Sequence, residues 1–152
     1  MFVPASGLTV LMPEAKNGAP MNYTQGINHL GLAVKDLFAT RDFFVKLLGW
    51  TESGYDAGYP RTAVTDGTVR LTLWQVDHSK DVNNFDRRQN IGLHHLALEV
   101  ATEEQLNALY QHLKQNGVDI DFAPEPLGGG PRKHMMCHEP GGIRIEFIWP
   151  AQ

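Results

Sequence analysis

INHLGLAV, residues 27–34, returns as LHHLALEV, residues 93–100, and this internal repeat decides how the rest of the chain is read. In that register His29 falls on His95. Leu30, Leu32 and Val34 would share one face of an extended segment, and His29, Gly31 and Ala33 the other, so each copy reads as a strand with one face on a core. By the same alternation His94 should project from the face opposite His95, where a backbone-bonded histidine is the expected state.

A helix is predicted after each repeat. In the first copy Asp36 is the N-cap and Gly49 the stop, with Leu37, Thr40, Phe44, Leu47 and Leu48 at helical spacing. In the second, Thr102 and Gln105 match a capping box, Leu106, Leu109, Tyr110 and Leu113 form the apolar stripe, and Gly117 ends it.

Three short strands follow each helix. In the first half they are read at 50–54, 61–64 and 68–75, the last two joined by the Asp66-Gly67 hairpin signal. In the second half they are read at 118–123, 133–138 and 143–149, with EPGG at 139–142 supplying the final turn. The expected organisation is an N-terminal extension at 1–25 and one domain at 26–150. That domain consists of a first βαβββ unit at 26–76, a polar linker at 77–90 and a second unit at 91–150. Met21, close to the onset of the regular pattern, is a candidate alternative start, which would put residues 1–20 outside the native product.

Composition limits the function. The 152 residues are 42% hydrophobic, enough for a true core, and the net charge of -4 comes with no basic stripe, which argues against a nucleic-acid partner. No apolar run approaches a bilayer span, the one cysteine cannot form an intrachain disulfide, and no export signal is evident, so a cytoplasmic protein without a membrane partner is expected.

These motifs resemble the vicinal oxygen chelate superfamily, which includes glyoxalase I, fosfomycin and bleomycin resistance proteins and extradiol dioxygenases. The resemblance covers residues 26–150 and rests on the strand around His29, the Leu47-Leu48-Gly49 helix end, the strand around His95 and the EPGGIRIEF hairpin at 139–147. It implies an α+β fold in which two βαβββ units form an open barrel-like mixed sheet with the helices outside, often completed as a homodimer. It also implies a divalent ion, Fe, Mn, Zn, Ni or Co, held by His29, His95 and Glu146.

Some members carry a fourth carboxylate ligand on the last strand of the first unit. Strand parity puts Arg70, Thr72 and Trp74 on the cavity face there, whereas literal alignment of the hairpin glycines sets Leu71 opposite Glu146. Either way the carboxylate is missing, which points to a three-ligand site with open coordination positions. Arg70, Thr72 and Trp74 become candidate substrate contacts, and Arg70 would favour an anionic substrate. His134 and His138, on one face of the preceding strand, are candidate general acids or bases. The expected function is metal-dependent lyase or isomerase chemistry on a small oxygen-rich metabolite. The alternatives are extradiol ring cleavage and metal-free small-molecule binding.

Overall fold

A computed structural model describes residues 17–18 and 22–151. Most of the predicted N-terminal extension, Met21 included, lies outside the described residues. The first half contains β1 (Leu30–Val34), α1 (Leu37–Asp42), a π-helical turn (Phe43–Leu47), β2 (Thr51–Asp56), β3 (Arg61–Thr65) and β4 (Arg70–Gln75). The second half contains β5 (Leu96–Glu99), α2 (Glu103–Gln115), β6 (Ile120–Pro126), β7 (Lys133–His138) and β8 (Arg144–Trp149). Each half makes one four-stranded mixed sheet, ordered β1-β4-β3-β2 and β5-β8-β7-β6. The first strand of each half runs parallel to the last, and the remaining pairs are antiparallel. This is the α+β architecture that the repeat predicts.

Local chemistry explains the boundaries. Asp36 accepts a hydrogen bond from the Ala39 amide at 2.9 Å, and Thr102 accepts one from the Gln105 amide at 3.1 Å, so each helix starts on a side-chain cap. Gly49 (φ 74°) and Gly117 (φ 73°) stop the helical segments in the left-handed conformation that glycine adopts without steric cost.

The first helix departs from the expected continuous α-helix: after Asp42 it widens into the π turn, and the Trp50 amide reaches back to the Phe44 carbonyl at 3.0 Å. Apolar spacing alone does not distinguish the two windings. Packing does, because Phe43 and Phe44 are both buried and Phe44 stacks at 5.0 Å on Trp50.

A single apolar cluster gathers Leu32, Val34, Leu37, Phe44 and Leu73 from the first half with Leu98, Leu106, Leu113, Ile145 and Phe147 from the second. The helix-bearing faces of both sheets therefore share one core. Two polar contacts join the halves alongside it. The buried Thr40 hydroxyl donates to Glu139 at 2.6 Å, and His112 Nε2 reaches the Leu47 carbonyl at 3.1 Å. The other face of each sheet is turned away from this core. No helix among the described residues is long and apolar enough to cross a membrane.

Candidate metal centre

Glu146 lies mid-strand in β8, where alternation sends Ile145 and Phe147 into the core and Glu146 to the open face. The residue is only 8% exposed, and both of its carboxylate oxygens are engaged. Oε2 faces His95 Nε2 at 3.1 Å, and Oε1 makes a short contact with His134 Nδ1. The register explains His134: Met136 stands opposite Glu146 on β7, so His134, two residues away, shares its face.

His95 precedes the first ladder residue of β5, as His29 precedes that of β1. Outside the ladder, alternation no longer holds. His94 Nδ1 meets His95 Nδ1 at 2.8 Å, correcting the expectation that the two rings diverge. That contact leaves His95 Nε2 for Glu146. Partial desolvation, followed by the neighbouring His95, Arg144, Arg87 and Arg88, holds the His94 pKa below its usual value.

His29 stands apart from this cluster. Its Nδ1 pairs with Asn28 Oδ1 at 2.9 Å, and among the described residues no group of three or more His, Cys, Asp or Glu side chains is arranged to hold a metal ion. The shared core accounts for the separation, since it turns the two open faces away from each other. His138 also lies off the cluster. Its Nδ1 is 2.9 Å from Asp119 Oδ2, and it lines a separate cavity with Phe43 and Lys46.

The fourth position is resolved by pairing. Gly31 stands opposite Thr72 in the first sheet and Ala97 opposite Glu146 in the second, so Thr72 is the counterpart of Glu146. The literal glycine alignment that gave Leu71 fails because the β7–β8 loop, 139–143, is one residue longer than the β3–β4 loop, 66–69. Leu71 is fully buried in the core. Thr72 accepts a hydrogen bond from the Trp74 indole at 3.0 Å, and Arg70 is exposed beyond it.

Arg61, which no motif in the sequence marks, shares the face of Trp74. Its guanidinium lies 5.5 Å over the Trp74 ring, and the β3–β4 pairing puts it directly opposite Trp74. The available signal was strand parity carried across the Asp66-Gly67 hairpin to β3.

The fit to a divalent ion can be judged from the donors. Two ligands on adjacent corners of an octahedral ion with bonds of ~2.1 Å stand ~3.0 Å apart. His95 Nε2 and Glu146 Oε2, at 3.1 Å, have that spacing. His134 on the second carboxylate oxygen and His94 on the second ring nitrogen are partners of the kind that orient metal ligands. The donors present fit part of a coordination shell.

Two βαβββ units, each with a histidine just before its opening strand, are the architecture in which family and structure comparisons place the chain. The chain belongs to the Glyoxalase/Bleomycin resistance protein/Dioxygenase superfamily, whose model matches residues 26–147. A glyoxylase/bleomycin resistance protein/dioxygenase domain from Frankia sp. superposes with a TM-score of 0.72 at 21% identity, covering 83% of this chain and 98% of that one. A candidate glyoxalase from Bacillus halodurans gives 0.70 at 26% identity, covering 82% and 95%. The lactoylglutathione lyase of Agrobacterium tumefaciens gives 0.66 at 17% identity, covering 85% and 96%. No curated protein sequence matches this chain.

Proposed function

We infer that the chain is a metal-dependent enzyme acting on a small oxygen-rich metabolite by glyoxalase-like lyase or isomerase chemistry. The observation that carries this reading is the buried Glu146 carboxylate, with one oxygen toward His95 Nε2 at 3.1 Å and the other held by His134. His29 of a second copy would complete the ligand set, because the two open faces of one chain point apart. A homodimer that opposes the first sheet of one copy to the second sheet of the other brings them together.

A divalent ion held there would act as a Lewis acid on two vicinal substrate oxygens. The protein's own contribution is orientation and proton handling. His134 fixes Glu146 through Nδ1, while its Nε2 side faces Glu125 Oε1 at 4.0 Å, a gap across which a proton would pass by way of a bridging water. His94 holds the His95 ring. Thr72 at the fourth position leaves room where a carboxylate would otherwise close the site.

That open position also suits dioxygen, so extradiol cleavage is the second reading. Metal-free binding of a small molecule is the third, supported by the absence of a three-donor group among the described residues of one chain. Elemental analysis of protein purified without added metal should find a divalent ion that is lost in His95→Ala and Glu146→Gln. Substrate screening with oxygen monitored then separates the two enzymatic readings, since ring cleavage consumes oxygen and isomerisation does not. A metal-free wild type that still binds its ligand would overturn the proposal.

A further inference from the structure

The open face of the first sheet has a chemical character of its own. In register across β3, β4 and β1, Arg61 stands beside Trp74, and the next row contains Ala63, Thr72 and Gly31, with Arg70 two residues further along β4. In the middle row Ala63 and Thr72 are buried and Gly31 is exposed. A Cβ at Gly31 would lie 3.4 Å from Thr72 Oγ1 and 3.6 Å from Trp74 Nε1, so the glycine leaves a shallow floor beside the indole.

None of these positions is acidic, and among the described residues neither Arg61 nor Arg70 has a carboxylate within ion-pair distance. Asp56, paired opposite Arg61 across β2 and β3, accepts a hydrogen bond at Oδ1 from the Gly58 amide at 2.9 Å. Arg61 is nevertheless positioned: its guanidinium lies over Trp74, and Nη1 donates a long bond to the Gly54 carbonyl at 3.4 Å. A guanidinium held over an indole at cation–π range can still present its remaining N–H groups as a planar fork, the arrangement that binds a carboxylate through both oxygens.

Thr72 adds a second element. The Trp74 N–H donates to its oxygen, so the hydroxyl hydrogen is free to donate elsewhere. The position equivalent to Glu146 thus offers a hydrogen-bond donor where the second sheet offers an acceptor.

We propose that this face selects substrates bearing a carboxylate attached to a flat unsaturated or aromatic group. The Arg61 fork takes the carboxylate, Thr72 donates to a substrate oxygen, and the flat group lies over exposed Gly31 against Trp74. Arg70 adds a second, more distant positive charge. This rests on reading the face as one wall of the active site and names the substrate class for that site.

The test uses full-length protein with chelator present, benzoate as the probe and benzamide as its neutral isostere. The readout is the indole N–H resonance of Trp74, identified by its loss in W74F. Benzoate should shift that signal saturably and bind about tenfold more tightly than benzamide, as expected for a charge-assisted contact. R61Q should abolish the preference, and R61K, which has charge without the fork, should restore only part of it. T72V should weaken benzoate about threefold, with T72S close to wild type. Equal binding of benzoate and benzamide, or an unchanged preference in R61Q, would overturn the proposal. Because the titration is metal-free, failure of the metal reading leaves its outcome intact, and failure here leaves the metal reading intact.

Discussion

Thr40→Val offers a sharp test of how the two halves are held together. Thr40 on α1 and Glu139 at the β7–β8 turn are 0% and 2% exposed, and the Thr40 hydroxyl donates to Glu139 Oε2 at 2.6 Å. The other oxygen, Oε1, accepts from the Ile143 amide at 3.0 Å. No cation lies within ion-pair distance of Glu139 among the described residues, so these two bonds carry the buried charge. Valine keeps the shape of threonine and removes one bond, stranding a buried carboxylate oxygen. Hydrogen bonds to charged groups contribute about 1.5–3 kcal/mol, and an unsatisfied buried acceptor pushes the cost toward the upper end. For a domain of this size that corresponds to a Tm lower by about 4–10 °C.

Glu139→Gln should cost far less, because its amide oxygen can still accept from Ile143 while its NH2 donates to Thr40, and no charge is stranded. Urea unfolding of both variants and the double mutant, at one fixed protein concentration in case the chain is dimeric, gives the coupling energy. A Thr40→Val loss below about 0.5 kcal/mol, or a Glu139→Gln variant less stable than Thr40→Val, would refute the reasoning.

Gly141→Ala should destabilise by about 1–3 kcal/mol in the same assay, since its Cβ would meet the pinned Glu139 Oε1 at 2.7 Å. Cys137 is fully buried, and burial, reinforced by Asp119 and Glu139, raises its pKa from 9.0 to about 12, so a thiol reagent at pH 8 should label it only as fast as the fold opens. That thiol favours the folded state fully below pH 9.0, and the contribution is lost as pH rises toward 12. A Cys137→Ala variant should therefore show a flatter alkaline stability profile. The Arg144 hydrogen bond lowers the Asp121 pKa below 3.8; Arg144 is buried and Asp121 partly exposed, so Asp121→Asn, which keeps one acceptor but removes the charge facing the guanidinium, should cost about 1–2 kcal/mol at neutral pH. Wild type and variant should converge as pH falls from 3.8 through the lowered value.

Much of the fold was legible in sequence because local physics fixes it. Alternation placed Leu30, Leu32 and Val34 toward the core, Asp36 and Thr102 capped their helices, and Asp66-Gly67 turned its hairpin, since Asp66 Oδ1 accepts from the Thr68 and Val69 amides. Strand ends were less legible. β2 and β6 run on to Asp56 and Pro126 across ladder irregularities that residue preference does not encode. The site was legible in part: parity pointed to Thr72 and joined His134 with His138 on one face, but could not say which histidine meets Glu146.

The sequence by itself determined the paired βαβββ units and the kinds of donor they carry, because repeat, periodicity and capping act over a few residues. Only the tertiary structure decided which donors meet. Pairing across strands made Thr72 the partner of Glu146's position and brought His134 to the carboxylate, and a one-residue difference in hairpin length shifts that register. The shared core, an energy summed over residues far apart in sequence, turned the open face near His29 away from the one bearing His95 and Glu146.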